Sequence, residues 1–198
     1  MRVLFVSVNR ESVPYPVAPL GGAYVAGAAR NDGHEVRLLD LCFSESTEVD
    51  VGRVVEEFAP ELIGVSIRNV DNLTYPASVS YLDEIRLAVR SLMCHATAPI
   101  VAGGPGFSIF PERLLAALAL EYGVIGEGEE TFCALARCLQ ERREVPRLPN
   151  MIRRGEDARH VGVQPLDVPG GDDRHRQQQQ AGGEEWGGQA KQQAGVHP

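Results

Sequence analysis

The chain has 198 residues, of which 43% are hydrophobic and 23% are charged, fractions that are ordinary for a globular protein. The length suits one domain with an additional segment and is too short for two domains of ordinary size. No apolar run approaches the roughly 18 residues that a membrane-spanning helix needs, so we expect no membrane partner. The net charge of −8 argues against a nucleic-acid partner.

Composition divides the chain near residue 150. Residues 165–198 hold seven of the nine Gln and seven of the 21 Gly, but only Leu166, Val168 and Val196 among Leu, Ile, Val and Phe. Such a segment buries too little apolar surface to offset the entropy of ordering. We therefore expect an α/β domain at 1–146, a linker or short extra strand at 147–164, and a disordered low-complexity tail at 165–198.

The four cysteines show neither a disulfide framework nor the spacing of zinc ligands. They are Cys42, Cys94, Cys133 and Cys138. We expect them to be buried, small apolar side chains of a protein in the reducing cytoplasm.

Strand-like and helical segments alternate through the first 146 residues. Residues 2–8 form a nearly continuous apolar run, typical of a strand buried on both faces, and a proline-rich loop leads from it into a helix. The predicted strands are 2–8, 34–39, 62–67, 99–102 and 122–125, and the predicted helices are 20–30, 49–58, 76–92, a helix from residue 111, and 129–142. Five β-α units predict a doubly wound, mostly parallel, five-stranded sheet of the flavodoxin-like or Rossmann type, with strand order 2-1-3-4-5.

Four unusual loops are predicted at the carboxyl ends of the strands, where such sheets bind their ligands. They span residues 9–16, 68–72, 103–108 and 126–130. Gly103, Gly104 and Gly106 remove side chains where the backbone could approach a ligand closely. We therefore expect a small-molecule site at this rim.

Three common kinds of site fit the sequence poorly. A dinucleotide site needs G-x-G-x-x-G after the first strand, and a phosphate loop needs G-x-x-x-x-G-K-[ST]; neither is present. A phospho-accepting receiver domain would have an aspartate at the end of strand 3, where this chain has Ser66, Ile67 and Arg68.

An ordered set of short motifs covers residues 1–145. The motifs are Pro19-Leu20-Gly21, Gly64-Val65-Ser66, Gly103-Gly104, Ser108 with Pro111-Glu112, and the run from Tyr122 to Glu129. This set resembles the N-terminal cobalamin-binding domain of B12-binding radical-SAM proteins.

The resemblance implies that the chain binds cobalamin, with the corrin ring on the rim and the dimethylbenzimidazole tail in a groove beside strands 1, 3 and 4. Gly103 and Gly104 would leave room for the tail, Ser66 would hydrogen-bond it, and residues 68–72 and 126–129 would face corrin amides. Gly104→Leu is therefore expected to block binding and leave the fold intact. The implied cofactor-binding residues are Ser12, Tyr15, Leu20, Gly21, Ser66, Arg68, Asn69, Val70, Asp71, Asn72, Gly103, Gly104, Pro105, Gly106, Phe107, Ser108, Gly126, Glu127, Gly128 and Glu129.

The sequence departs from the family in its histidine. Many cobalamin domains carry D-x-H-x-x-G after strand 1, and that histidine ligates cobalt. The nearest match here is Asp32-Gly33-His34, which precedes strand 2. We expect His34 to be a surface or strand-entry residue, and Arg10, Tyr15 and Asn69 are open candidates for a residue that faces cobalt.

The sequence also departs from the family in its cysteines. Radical-SAM enzymes hold a [4Fe–4S] cluster through C-x-x-x-C-x-x-C, and the four cysteines do not fit that motif. We expect a cobalamin-binding module that is not catalytic alone, without a SAM or [4Fe–4S] site, and with a separate radical-SAM domain or chain as a partner. The tail suggests a truncated or frameshifted end. Two alternatives stay open: a flavodoxin-like enzyme that binds a nucleotide or flavin, and a fragment that retains no ligand.

Overall fold

The fold is seen in a computed structural model, which describes residues 1–72 and 76–156. The predicted disordered tail and residues 157–164 of the predicted linker lie outside these ranges. Within them, no helix has both the length and the apolar character that crossing a bilayer requires.

One sheet contains six strands in the order β2-β1-β3-β4-β5-β6. They are β1 (Arg2–Ser7), β2 (Glu35–Asp40), β3 (Leu62–Ser66), β4 (Ile100–Gly103), β5 (Tyr122–Val124) and β6 (Met151–Arg153). The first five run parallel, and β6 pairs antiparallel with β5. The doubly wound parallel sheet is confirmed, with one strand more than the five predicted. That strand comes from the segment predicted as a linker or extra strand.

Helices cover both faces of the sheet. Within the described residues they are α1 (Leu20–Asn31), α2 (Thr47–Phe58), α3 (Leu82–His95), α4 (Pro105–Ile109), α5 (Pro111–Leu118) and α6 (Glu129–Gln140), with a single 3-10 turn at Leu41–Phe43. Each strand from β1 to β4 leads through at least one helix to its successor, as right-handed crossovers in a parallel sheet require.

Side chains alternate between the two faces of each strand and so build two apolar cores. On β1, Leu4 and Val6 lie in the core beneath α2, α3 and α5. Val3 and Phe5 lie in the core beneath α1 and α6. This double burial is the physical reason why β1 is a nearly continuous apolar run in the sequence.

The structure corrects the prediction of local structure before α3 and after β4. Helix α3 begins at Leu82 rather than at residue 76, because the residues before it pair with the loop after β3, where Ser80 forms an antiparallel bridge with Asp71. The stretch 103–108, predicted as a loop, contains the short helix α4, which has Pro105 in its first turn. Proline is favoured there because it has no N–H to leave unpaired.

Candidate functional site

A groove opens at the carboxyl edge of the sheet, on the face covered by α1 and α6. Its volume is about 460 Å³. Glycines, serines and apolar side chains make up most of its walls, with two glutamates among them. The lining residues are Phe5, Gly21, Gly22, Val25, Gly64, Val65, Ser66, Val101, Ala102, Gly103, Gly104, Pro105, Ser108, Val124, Gly126, Glu127, Gly128, Glu129 and Phe132.

The strands supply the floor of the groove, and small residues keep it open. Ser66 lies opposite Gly103 in the parallel ladder between β3 and β4. Two residues earlier on the same face, a Cβ atom at Gly64 would lie 2.6 Å from the Phe5 ring and 3.2 Å from the Phe132 ring. These two rings pack against each other with centroids 4.7 Å apart. Gly64 therefore lets an aromatic pair form the deep end of the groove.

Gly104 is required by the backbone itself. Its φ of 99° and ψ of 170° belong to a region that glycine alone adopts readily, and a Cβ there would lie 2.7 Å from the Ile67 carbonyl oxygen. That oxygen accepts a hydrogen bond from the Gly106 N–H at 2.9 Å, so it is held in place. The expectation that Gly104→Leu leaves the fold intact is therefore wrong, since any side chain at this position strains the loop.

Ser108 joins two of the rim loops. Its hydroxyl donates to the Gly104 carbonyl at 3.0 Å and accepts from the Gly126 N–H at 2.9 Å. The neighbouring Phe107 is fully buried, with its ring directly over Gly123, where an added Cβ would lie 2.1 Å from the ring. Phe107 thus anchors α4 in the core on the far side of the sheet from the groove.

Ser66 presents an available hydroxyl in the groove. The residue is half-buried, and its side chain faces α1, where a Cβ at Gly22 would lie 3.5 Å from Ser66 Oγ. Among residues 1–72 and 76–156, this hydroxyl has no hydrogen-bond partner. A half-buried hydroxyl without a partner can donate one hydrogen bond to a ligand.

A second recess lies beside the loops that follow β1 and β3. Its volume is about 470 Å³, and its lining residues are Glu11, Val13, Pro14, Tyr15, Val17, Arg68, Asn69, Asn72 and Tyr81. The Tyr81 hydroxyl donates to the Glu11 carboxylate at 2.5 Å. This hydrogen bond raises the pKa of Tyr81 to about 12, and the same bond is the main reason why the pKa of Glu11 is lowered.

Arg10 is held away from both recesses by contacts with the start of α2. Its guanidinium group donates to Thr47 Oγ1 at 2.7 Å and to the Ser44 carbonyl at 2.8 Å.

His34 lies far from the groove. It is buried just before the first residue of β2, and the amino ends of parallel strands lie at the edge of the sheet opposite the groove.

Comparison with known proteins decides the family. A family model of the B12 binding domain matches residues 6–136. The chain belongs to the B12-binding domain family. The groove described above lies within the matched part of this domain.

Relatives of this B12-binding domain are much longer proteins. A tryptophan 2-C-methyltransferase of Streptomyces laurentii is 33% identical over 145 residues, 71% of this chain and 24% of that protein. An uncharacterized methyltransferase of Pyrococcus horikoshii is 28% identical over 151 residues, 73% of this chain and 31% of that protein. The chain thus spans about a quarter to a third of the length of the curated relatives it matches.

A solved structure matches the B12-binding domain closely. It is the radical S-adenosylmethionine methyltransferase TsrM of Kitasatospora setae, with cobalamin and a [4Fe–4S] cluster bound. The TM-score is 0.74 and the identity 33%, over 78% of this chain and 29% of that one. The cobalamin-dependent radical enzyme OxsB matches at 16% identity with a TM-score of 0.63, which shows a shared fold.

In this B12-binding domain the predicted site residues are divided between the groove, the second recess and positions outside both. Half of them line the groove: Gly21, Ser66, Gly103, Gly104, Pro105, Ser108, Gly126, Glu127, Gly128 and Glu129. Four line the second recess: Tyr15, Arg68, Asn69 and Asn72. Six line neither: Ser12, Leu20, Val70, Asp71, Gly106 and Phe107.

Sequence reasoning missed the apolar wall of the groove. The lining residues that were not among the predicted site residues are Phe5, Gly22, Val25, Gly64, Val65, Val101, Ala102, Val124 and Phe132. Most of them look like ordinary core residues in the sequence. Gly64 carried a usable signal, because a glycine inside a strand often marks a close approach by a ligand or another group.

Proposed function

We propose that this domain binds cobalamin at the carboxyl edge of the sheet, with the nucleotide tail in the groove between α1 and α6. The observation that carries the proposal is the groove itself. It is open at the rim, its floor has small residues at Ser66 and Gly103, and its deep end is aromatic. Membership of the B12-binding domain family and the similarity to the cobalamin-bound TsrM structure support the same assignment.

The residues present fit a cobalamin tail. An apolar, flat base suits a groove walled by Val101, Val124 and the Phe5–Phe132 pair. The free hydroxyl of Ser66 supplies a hydrogen-bond donor beside it. The polar backbone and side chains of residues 68–72 and 126–129 lie on the adjoining loops and would hold the corrin amides.

The chemistry of the bound cofactor resides in its cobalt centre, and the protein supplies binding and orientation. We propose that the domain serves as the cofactor-binding module of a radical-SAM-type protein, with the catalytic residues on another domain or chain. This role rests on the relatives, of which the chain matches 24% and 29% in the two cases that are 33% identical.

Two glycines of α1 provide a matched test. Gly21 lines the groove, whereas Gly27 lies on the same helix outside it, and an added Cβ meets nothing within 4 Å at either position. Gly21→Leu should place a side chain in the groove, where it would overlap the bound tail. Relieving that overlap should cost more than about 1.4 kcal/mol of binding free energy, so hydroxocobalamin should bind at least about tenfold more weakly. Gly27→Leu should bind like the wild type.

The readout is the visible spectrum of corrinoid retained after desalting, together with the dissociation constant from titration. Thermal unfolding with and without hydroxocobalamin gives a second readout, since a ligand that binds only the folded state raises stability. Wild-type protein that retains no corrinoid, or that purifies with yellow flavin instead, would overturn the proposal. Equal binding by the two leucine variants would show that the tail does not occupy the groove.

A further inference from the structure

The turn that ends helix α1 exposes one ionisable side chain and buries another. Gly33 has a φ of 89°, and the His34 N–H donates to the Ala29 carbonyl at 3.1 Å, as in a Schellman turn. The Asp32 side chain is left 21% exposed, whereas only 3% of the His34 side chain is exposed. The turn therefore holds a buried imidazole beside a carboxylate that reaches solvent.

The Asp32 carboxylate joins α1 to α6. Its Oδ2 accepts from Arg137 Nε at 2.8 Å, and its Oδ1 accepts from Arg137 Nη2 at 2.7 Å. Residues in the first half of each helix line the groove at the carboxyl edge of the sheet. Asp32 caps the end of α1 and Arg137 lies in the last turn of α6, so the α1–α6 ion pair joins the opposite ends of the two helices that wall the groove.

The His34 ring has a nitrogen without a partner. Nε2 is buried and makes no hydrogen bond within residues 1–72 and 76–156. Asp32 Oδ2 lies 3.5 Å from it, beyond the usual hydrogen-bond length, and that oxygen already accepts from Arg137. A buried polar atom without a partner costs free energy, and a protonated ring would need this same oxygen as its acceptor.

We propose that His34 is an acid-operated switch on the α1–α6 ion pair: its protonated Nε2–H binds Asp32 Oδ2, draws that oxygen away from Arg137 and loosens α6 from α1. A normal hydrogen-bond length requires Nε2 and Oδ2 to approach by about 0.6 Å, and Arg137 Nε contacts that same oxygen. The proposal goes beyond the proposed function and holds whether or not the groove takes cobalamin, because it concerns the far ends of the helices.

The charged groups around the imidazole fix the direction of the effect. Burial, followed by the Met1 amino group and Arg137, lowers the pKa of His34, and Asp32 opposes them. The unfolded chain binds this proton at about pH 6.5, whereas the folded protein binds it only at lower pH. The stability that the neutral imidazole contributes is therefore complete above about pH 6.5 and is lost as the pH falls from there through the folded pKa. Across that window the unfolding equilibrium constant should rise by up to about tenfold per pH unit.

Urea unfolding between about pH 7.5 and about pH 5 measures this rise in the wild type and in two histidine variants. His34→Gln keeps a polar side chain that does not titrate, and it should remove most of the rise. His95→Gln is the matched control, because His95 lies exposed at the end of α3, and it should keep the rise of the wild type. An equal pH dependence in the two variants would refute the role of His34.

Two variants that keep His34 test the competition for Asp32 and do not depend on the folding of His34→Gln. Arg137→Gln removes the competing cation, so NMR of the histidine ring signals should show His34 titrating at a higher pH than in the wild type. Asp32→Asn removes the acceptor, so His34 should titrate at a lower pH. Wild-type His34 that titrates at or above about pH 6.5, or a titration that neither variant moves, would overturn the proposal.

Hydrogen exchange of the wild type tests whether the helices separate. As His34 takes up its proton, backbone amides in the last turn of α6 should exchange faster, while those of α3 keep their rates once the intrinsic effect of pH is corrected. Unchanged protection at the end of α6 through the His34 titration would show that the ion pair stays closed and would refute the switch.

Discussion

The two adjacent glycines at the carboxyl end of β4, Gly103 and Gly104, provide the sharpest test of the structure. Gly104→Ala places a side chain where φ is 99° and ψ is 170°, which costs about 1–3 kcal/mol for a residue other than glycine. The new Cβ would also lie 2.7 Å from the Ile67 carbonyl oxygen. Relief of that overlap requires the loop to move, and overpacking of this kind costs roughly 1–3 kcal/mol. Since the two strains relax together, we expect a loss of about 2–4 kcal/mol in the free energy of unfolding.

Gly103→Ala is the matched control. Its Cβ would lie 3.6 Å from the Val124 carbonyl oxygen, an ordinary contact, and no positive φ is involved. Alanine is moreover less costly than glycine in a strand by roughly 0.5–1 kcal/mol. We expect a stability change below about 1 kcal/mol, while the added methyl group lowers corrinoid affinity because Gly103 lines the groove.

Urea unfolding followed by circular dichroism measures both variants. For a domain of this size, the loss expected for Gly104→Ala corresponds to a fall in Tm of roughly 5–15 °C. The reasoning is refuted if the two alanine variants are equally stable, or if Gly104→Ala loses less than about 1 kcal/mol.

Two further predictions concern ionisation. Glu11→Gln should lower the pKa of Tyr81 from about 12 towards its ordinary value, because a neutral amide replaces the charged carboxylate that accepts the tyrosine's hydrogen bond. The pKa is measured by absorbance titration, and the same titration of Tyr81→Phe identifies the signal of this tyrosine. An unchanged pKa contradicts the contact. Arg137 lowers the pKa of Asp32 through a two-point ion pair. The stabilisation of the folded state by this ion pair is therefore complete above the pKa of Asp32 in the unfolded chain, about 3.9. It is lost as the pH falls through the lower pKa that Asp32 has in the folded protein. Asp32→Asn should be less stable than the wild type at pH 7, and the difference should shrink as the pH falls below about 3.9. A difference independent of pH would exclude the ion pair.

The sequence predicted the sheet because its pattern follows directly from burial. Strands covered by helices on both faces must be apolar throughout, as in residues 2–8, and helices that cover them must be apolar on one side. The alternation of these patterns was enough for the parallel order of β1–β5. Helix α3 was placed too early, since the local pattern does not reveal the bridge between Asp71 and Ser80.

The sequence by itself determined which loops lie at the carboxyl edge, because chain direction alone sends those loops to one rim. It also marked Gly103 and Gly104 as unusual residues there, and the family resemblance added Ser66. Only the tertiary structure separated their roles: Gly104 satisfies a backbone conformation, Gly103 clears the groove floor, and Ser66 keeps a free hydroxyl. These differences depend on which atoms approach from other strands and helices. The two adjacent glycines, which the sequence does not distinguish, therefore have different structural roles. Gly104 is required by the backbone conformation, and Gly103 keeps the floor of the groove open.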